Sequence, residues 1–252
     1  MAKAGANASV DSPELKTWIA SQADPEKAQQ AVRTLVDAHH WLDRMEAEHM
    51  TQANAIVGLY RANKMDNEDT VILFADRTRQ NDICLLDFRR QNKPQSDGTT
   101  LSMADYVAPM PYSDYLGLFA ATAGLGLKQH TDALQAQGDD YGAMMVQFLA
   151  DRLVEALSEW LHIKVRKELW GYAPNEDLTP DEVLKGRYEG IRPAIGYPID
   201  PDHSHKSQLF DLLRVEERIG ISLTDSLMMM PVSSVCGFYV QHPFARYFGI
   251  ED

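Results

Sequence analysis

The sequence predicts an α+β fold, in which antiparallel strands come first and a long helix follows. Three short β-rich runs, 56–60, 71–74 and 83–88, succeed one another without an intervening helix, which favours an antiparallel meander. Further on, apolar residues at helical spacing run from about Asp132 to Trp170 and predict a long amphipathic helix. Strands and helices segregated along a chain are typical of the α+β class.

The N-terminal part of the chain is expected to hold a lead-in and then a helix. Residues 1–23, which begin with small and polar side chains, are interpreted as a polar lead-in, and 24–252 as the domain itself. Asp24-Pro25-Glu26 supplies an N-cap residue, a proline at the first helical position and an acid in the first turn. This pattern predicts a helix that continues to about His49.

A helical turn and a strand are predicted between the meander and the long helix. Residues 91–100 form a polar loop, and Leu101–Pro109 is expected to be a helical turn closed by its proline. The apolar run 116–122 predicts another strand, which Gly124 and Gly126 end.

The predicted long helix has an apolar side and a charged side. The apolar stripe consists of Met145, Phe148, Leu149, Leu153, Ala156, Leu157, Trp160, Leu161 and Val165. The residues off the stripe, at spacings of three and four, are Arg152, Glu155, Glu159, His162 and Arg166. A face of this kind is typical of solvated salt bridges between neighbouring turns.

Two further helices are predicted near the C-terminus. Thr179-Pro180-Asp181-Glu182 is an N-cap with proline at the first position, which opens the first of them. The second is expected to begin after Ser204 as its N-cap and to end at Gly220. The spacing of His203 and His205 suggests a third hypothesis, a metal-dependent hydrolase. The sequence places no third ligand beside these histidines, so no metal is expected.

The segment Arg187–Pro198 combines proline and glycine in a way that suits a binding loop. Its two prolines fix φ, and Gly190 and Gly196 permit backbone angles that other residues resist. A stiff segment loses little entropy when it orders against a ligand. Arg192 could then hold a carboxylate through two parallel hydrogen bonds. The alternative is a connecting loop with a solvated arginine.

The seven residues Arg-Pro-Ala-Ile-Gly-Tyr-Pro at 192–198 resemble the signature of the S-adenosylmethionine-binding activation domain of cobalamin-dependent methionine synthase. Ala150–Leu153, Trp170–Glu176 and the order strand, His-Pro, aromatic pair within 233–248 are similar to the same family. The resemblance implies an α+β fold with a twisted antiparallel β-sheet flanked by helices, one of them long and central.

The resemblance also implies a function. Activation domains reactivate methionine synthase, a methyltransferase of methionine biosynthesis, by binding S-adenosylmethionine and supporting the reductive methylation of cob(II)alamin. The cobalamin is carried by the cobalamin-binding domain, and flavodoxin or an equivalent reductase supplies the electron. The chemistry belongs largely to the cofactors, so the isolated chain need not turn over by itself.

Site residues follow from the family's motifs. The residues expected to bind S-adenosylmethionine are Arg192, Pro193, Ala194, Gly196, Tyr247 and Phe248. Arg192 would hold the carboxylate of the ligand, and the aromatic pair would cover it. Two residues are expected to act catalytically beside the corrin: Glu155, whose counterpart in the family lies near it, and Tyr197, which would lie between ligand and corrin.

Three departures from the family keep a second class of function open. No segment before Asp24 matches the family's Asp-Trp-Thr-Pro-Phe motif, and Gly186 replaces a glutamate six positions before the signature. The chain also stops at Asp252, short of the family's closing strand and helix. The domain is therefore expected to be incomplete or divergent, and the alternative is a non-enzymatic docking module for a corrinoid protein that has lost S-adenosylmethionine binding.

Composition and charge argue against other classes. A formal net charge of −13 over 252 residues is opposite to what a nucleic-acid-binding protein needs. Cys84 and Cys236 form no zinc, redox or disulfide pattern. The chain starts without an apolar signal core and has no apolar run long enough to span a membrane. A cytoplasmic protein without nucleic-acid or membrane partners is expected.

Overall fold

The structure is a computed structural model that describes residues 13–66, 69–75, 82–95 and 98–250. The first twelve residues of the predicted lead-in and the turn after the second strand lie outside the described residues. The helices are α1 (Pro13–Ala20), α2 (Pro25–Ala47), α3 (Leu127–Ala136), α4 (Asp140–Lys164), α5 (Pro180–Leu184), α6 (His205–Leu213) and α7 (Val215–Ile219). The strands are β1 (Gln52–Lys64), β2 (Thr70–Phe74), β3 (Asp82–Asp87), β4 (Asp114–Leu125), β5 (Ser222–Leu223), β6 (Met229–Met230) and β7 (Ser234–Tyr239).

The main sheet of the described chain has the strand order β3-β2-β1-β4-β7. The β1–β2, β2–β3 and β4–β7 pairs are antiparallel, so the predicted meander and the predicted α+β class are confirmed. In the β4–β7 pair, Gly117 lies opposite Tyr239 and Thr122 lies opposite Ser234. Strand β7 is the last strand in this order, which leaves its outer side open to another segment.

The chain divides into two compact units. The first consists of Met1–Gln52 and Gly126–Ala150, and its core packs α2 residues such as Trp41 and Met45 against α3 and the first half of α4. The second consists of Ala53–Leu125 and Asp151–Asp252 and contains the sheet. All residues of the candidate site described below belong to the second unit.

Both faces of strand β4 are buried, which makes this strand part of the core of the second unit. Leu116, Leu118 and Ala120 belong to the largest hydrophobic cluster, together with residues of α6 and α7. The alternating residues Phe119 and Ala121 pack with the second half of α4. Period-two alternation therefore places helices on both sides of the strand.

The predicted helix from Asp132 to Trp170 is in fact two helices followed by a π-helical turn. Gly138 adopts a positive φ of 80° between α3 and α4, which ends the first helix. Helix α4 then runs for 25 residues and is followed by the π-helical turn Val165–Leu169. The expectation of one long helix holds for α4, but its start was placed eight residues too early.

The caps of α2 and α5 agree with the sequence patterns. Asp24 accepts a hydrogen bond from Lys27 N–H at the start of α2, and Thr179 forms a capping box with Glu182 at α5. The single helix predicted up to Gly220 is divided into α6 and α7 by Arg214, which has a φ of 52°. In the described chain no helix combines the length and the hydrophobicity of a transmembrane span.

Candidate functional site

The Pro/Gly segment extends the sheet by pairing with the open side of β7. Ile191 and Val240 exchange two backbone hydrogen bonds of 3.0 Å, and Phe238 N–H donates to the carbonyl oxygen of Pro193 at 2.9 Å. Ile195 N–H donates to Cys236 O at 3.1 Å. Backbone hydrogen bonds therefore hold the segment against β7 and the residue that follows it, Val240.

Glycines make this pairing possible. A Cβ atom on Gly237 would lie 2.1 Å from the carbonyl oxygen of Pro193, so only glycine allows the segment to approach β7. Gly196 has a φ of 93°, and a Cβ there would lie 2.6 Å from the ring of His203. Gly196 thus fulfils the expectation of an unusual backbone angle. Gly237 was not singled out by the sequence.

A cleft of about 1120 Å³ lies beside the segment. It is walled by the second half of α4, by β7 and the loop before it, and by the C-terminal residues up to Gly249. Six of the eight predicted site residues line it: Glu155, Arg192, Ala194, Tyr197, Tyr247 and Phe248. The other two do not: the Pro193 carbonyl is engaged by β7, and Gly196 packs on His203.

Arg192 is fixed at both its backbone and its side chain. Its N–H donates to the hydroxyl oxygen of Tyr247 at 3.0 Å, and its Nη2 donates to Oε2 of Glu159 at 2.8 Å. The side chains of Arg192 and Glu159 are 17% and 24% exposed. Among the described residues, Nε of Arg192 and Oε1 of Glu159 are buried without a hydrogen-bond partner. The alternative of a solvated arginine is therefore wrong.

Behind the ion pair, the end of α4 and the π-helical turn that follows it bury polar side chains that were expected on a solvated face. His162 and Arg166 are fully buried. Arg166 forms a two-pronged ion pair with Glu176, with N–O distances of 2.8 and 2.7 Å. Burial, followed by the charges of Arg166 and Arg192, lowers the pKa of His162 to about 2, so the imidazole is neutral.

The outer part of α4 keeps the predicted solvated character. Glu155 and Arg152 form an exposed pair at 2.8 Å, with spacing i,i+3. The apolar stripe of the predicted helix is only partly buried, because Phe148 and Trp160 are each 53% exposed. The buried line of the second half of α4 is instead rotated toward Val154, Ser158 and His162. Spacing alone could not identify which side of this helix is covered.

The predicted aromatic pair has two different environments. Tyr247 is 56% exposed, and its hydroxyl contacts Arg192, whereas Phe248 is only 9% exposed and packs 6.3 Å from the ring of Tyr106. Tyr197 is 63% exposed at the cleft. Two tyrosines, Tyr197 and Tyr247, therefore offer aromatic surface to a ligand, while Phe248 contributes mainly to the wall.

Residues around His203 and His205 hold the Pro/Gly segment in place. Nδ1 of His205 lies 3.0 and 3.1 Å from the two carboxylate oxygens of Asp200, and both side chains are buried. Gly196 N–H donates to Asp200 O at 2.8 Å, and Asp200 N–H donates to Tyr197 O at 2.9 Å. Within the described chain, no group of three or more His, Cys, Asp or Glu side chains is arranged to hold a metal ion.

A family model and a solved structure are among the matches found by comparison with known proteins. The family model described as "Vitamin B12 dependent methionine synthase, activation domain" matches residues 13–252. A solved structure described as "Crystal Structure of the MetH Reactivation Domain bound to AdoHcy" superposes with a TM-score of 0.86 at 38% sequence identity. The alignment covers 96% of this chain and 79% of that one. Both matches agree with the resemblance found in the sequence, and the structural match agrees with the α+β architecture.

Proposed function

Because this chain belongs to the family of activation domains of vitamin B12-dependent methionine synthase, we propose that its cleft binds S-adenosylmethionine for reactivation of that enzyme. The parent enzyme of the family is a cobalamin-dependent methyltransferase, of which this domain is one part. One observation carries the proposal: the guanidinium of Arg192 is fixed by Glu159 in the wall of a cleft large enough for a nucleoside with an amino-acid tail.

The residues present fit such a ligand. Ligand-binding pockets usually have volumes of about 300–1,000 Å³, and this cleft of about 1120 Å³ is slightly larger and open on one side. Arg192 offers a cation to the carboxylate, and the backbone of Ala194 lies beside it. The exposed rings of Tyr197 and Tyr247 suit adenine stacking or contact with a sulfonium cation.

The domain would contribute placement, whereas the reacting groups come from the cofactors. S-adenosylmethionine bound in the cleft would supply the methyl group, and a reductase would supply one electron, for the methylation of the cobalamin that the cobalamin-binding domain carries; S-adenosylhomocysteine would be left in the cleft. Flavodoxin or an equivalent reductase is proposed as the electron donor from the chemistry of the family. Glu155 and Tyr197 are proposed to face the corrin, because both line the cleft and are exposed.

The rim of the cleft fits a docking partner. Four large side chains that line it are strongly exposed: Leu184 (81%), Tyr197 (63%), Val232 (59%) and Tyr247 (56%). Exposed apolar residues clustered at one place on a protein mark interaction sites. We therefore propose that the cobalamin-binding domain docks on this rim and closes the open side of the cleft.

Titration calorimetry with S-adenosylmethionine and S-adenosylhomocysteine tests the proposal. We expect one-to-one binding, and Arg192→Ala should weaken it by about 1.5–3 kcal/mol because a charge-assisted hydrogen bond is lost. Arg187→Ala is the matched control, since Arg187 lies in the same segment but does not line the cleft.

Two results would contradict the proposal. Absence of heat with either ligand would favour the docking-only alternative, in which the fold persists without ligand binding. Wild-type affinity in the Arg192→Ala protein would show that the guanidinium does not hold the carboxylate. The bound S-adenosylhomocysteine of the related structure, at 38% identity, supports the binding function over that alternative.

A further inference from the structure

The two edges of the main sheet are covered to different extents. The Pro/Gly segment covers the outer side of β7, whereas β3, at the other end, has no partner strand on its outer side in the described chain. We propose that the outer edge of β3 and the adjoining helix α6 form a docking site for an extended, basic segment of a partner protein, which adds to the sheet as a further strand. The site shares no residue with the cleft, and the proposal does not depend on the proposed function.

The backbone of Leu85 faces outward from the sheet. Phe88 N–H donates to Asp69 O at 2.9 Å, so Phe88 faces the β2 side, and the alternation of an antiparallel pair turns Leu85 the other way. The carbonyl oxygen of Leu85 agrees with this orientation, because it accepts a hydrogen bond of 2.9 Å from the side-chain amide of Gln208. That amide takes the place that a backbone N–H of an added strand would occupy. The N–H of Leu85 points the same way and can donate to such a strand.

A groove of about 500 Å³ lies beside this edge and gives an added strand room. Its walls come from β3 and α6, and the lining residues are Ile83, Cys84, Leu85, Gln208, Asp211 and Leu212. Ile83 and Leu85 are 40% and 45% exposed and, two residues apart, lie on the same face of β3. An edge with outward backbone groups and exposed apolar side chains offers the two parts of strand addition, main-chain hydrogen bonds and contacts for alternate side chains.

Charge determines which kind of segment fits. Asp211 is exposed in the groove wall, and the described lining contains no lysine or arginine. The whole chain has a formal net charge of −13. A basic side chain on the segment would therefore be attracted by the nearby carboxylate and by the field of the protein. A second copy of this chain would bring the same carboxylate and the same net charge, so charge opposes pairing between the β3 edges of two copies.

The test measures the binding of three synthetic peptides with blocked ends. The basic probe alternates valine and lysine over seven residues, and the acidic probe has glutamate in place of lysine. The third probe has the basic sequence with its central amides N-methylated, so that it cannot donate to a sheet edge. We expect the basic probe to bind one-to-one and at least tenfold more tightly than the other two. The acidic probe is repelled, and the methylated probe loses one or two backbone hydrogen bonds.

Two substitutions locate the probe on the chain. Leu85→Pro removes the outward N–H, and an edge strand tolerates proline where its nitrogen faces away from the sheet. It should weaken the basic probe tenfold or more. Asp211→Asn should weaken the same probe about two- to fivefold, the effect of losing one exposed ion pair. Glu216→Gln is the matched control, because it makes the same charge change on an exposed residue of α7 that does not line the groove.

Circular dichroism shows whether Leu85→Pro folds. If it does not, Asp211→Lys supplies the test, because reversal of this charge should bring the Kd values of the basic and acidic probes closer together. The control Glu216→Gln should leave the Kd of every probe within twofold of its wild-type value.

Four results would overturn the inference. Failure of the basic probe to bind would show that the edge accepts no such segment, and equal binding of the methylated probe would show attraction by charge without strand pairing. Wild-type affinity in both Leu85→Pro and Asp211→Lys would place the probe elsewhere on the chain. A wild-type dimer in sedimentation experiments that Leu85→Pro converts to a monomer would make a second copy the occupant. None of these results bears on ligand binding in the cleft.

Discussion

His162 is buried between aromatic rings behind the cleft. Its ring stacks 5.1 Å from Tyr239 and lies edge-on 4.9 Å from Tyr188. Neither of its ring nitrogens has a hydrogen-bond partner among the described residues. The side chain therefore behaves as a flat apolar ring in the folded protein, although it can take up a proton once the chain unfolds.

His162 should make the protein less stable in acid. Its pKa falls from 6.5 to about 2 on folding, mainly because of burial, so the unfolded chain binds the extra proton below pH 6.5. Stability is therefore lost as the pH falls through this window, by about 2 kcal/mol at pH 5 for this group. His162→Phe keeps the ring contacts without the proton, and should be about 2 kcal/mol more stable than wild type at pH 5.

Urea unfolding at pH 8 and pH 5 measures this difference. At pH 8 the histidine is neutral in both states, so the variant should equal wild type or exceed it slightly, because two unsatisfied nitrogens are removed. Parallel pH profiles of the two proteins would show that His162 is protonated in the fold or hydrated there.

The residues that the family motifs singled out lie together in the structure. Arg192, Tyr197 and Tyr247 were identified from sequence resemblance, and they line one cleft. Glu159 and His162 were visible only as members of a charged helix face, which was expected to be solvated. Their burial depends on which side of α4 other parts of the chain cover, and that is decided by tertiary packing.

At the level of elements, the Pro/Gly segment is held from two sides. On one side its backbone pairs with β7, and on the other the Asp200 backbone closes a turn over Gly196 and Tyr197. The carboxylate of Asp200 is in turn held by His205, whose ring packs 5.2 Å from Phe88 and 6.2 Å from Phe238. Helix α6 therefore fixes the position of the segment through one buried pair.

Removal of this pair should loosen the segment and destabilise the fold. His205→Leu leaves the Asp200 carboxylate buried and unpaired, and we expect a loss of about 3–5 kcal/mol in the free energy of unfolding. Adding Asp200→Asn to that variant should recover part of the loss, because the unpaired charge is removed. If the double variant is no more stable than His205→Leu, the carboxylate is not the source of the penalty.

The pH dependence of this pair has the opposite sign to that of His162. Burial opposes the charged form of His205, but the hydrogen bond and charge of Asp200 outweigh it and raise its pKa. The stabilisation is thus fully present below pH 6.5 and is lost as the pH rises through the raised value. The difference in unfolding free energy between wild type and His205→Leu should therefore become smaller in alkaline solution. Urea unfolding at several pH values measures this difference. A difference that grows with rising pH would contradict the expectation.

Element boundaries were predicted best where local chemistry determines them. The caps Asp24 and Thr179 were correct, because a side chain and a proline set the helix start. The breaks at Gly138 and Arg214 were missed, because the sequence does not indicate that a residue inside a helical apolar pattern has a positive φ. Gly237 was missed because its need for glycine comes from Pro193, a distant residue.

For the whole molecule, the negative net charge of the chain favours a positively charged ligand. The chain has a formal net charge of −13, and the described cleft lining has three carboxylates, of Asp151, Glu155 and Glu159, against the two guanidinium groups of Arg152 and Arg192. A negative protein attracts cationic ligands over distances up to the Debye length. S-adenosylmethionine carries a net positive charge, whereas S-adenosylhomocysteine is a neutral zwitterion.

Salt should therefore weaken the binding of the two ligands unequally. Between about 0.01 M and 1 M salt the Debye length falls from about 30 Å to 3 Å, which removes the long-range attraction but changes short contacts less. We expect the Kd of S-adenosylmethionine to rise several-fold more than that of S-adenosylhomocysteine over this range. Calorimetry at several salt concentrations measures both slopes. Equal slopes would mean that the sulfonium charge is not felt by the protein's field, and that contacts inside the cleft alone distinguish the ligands.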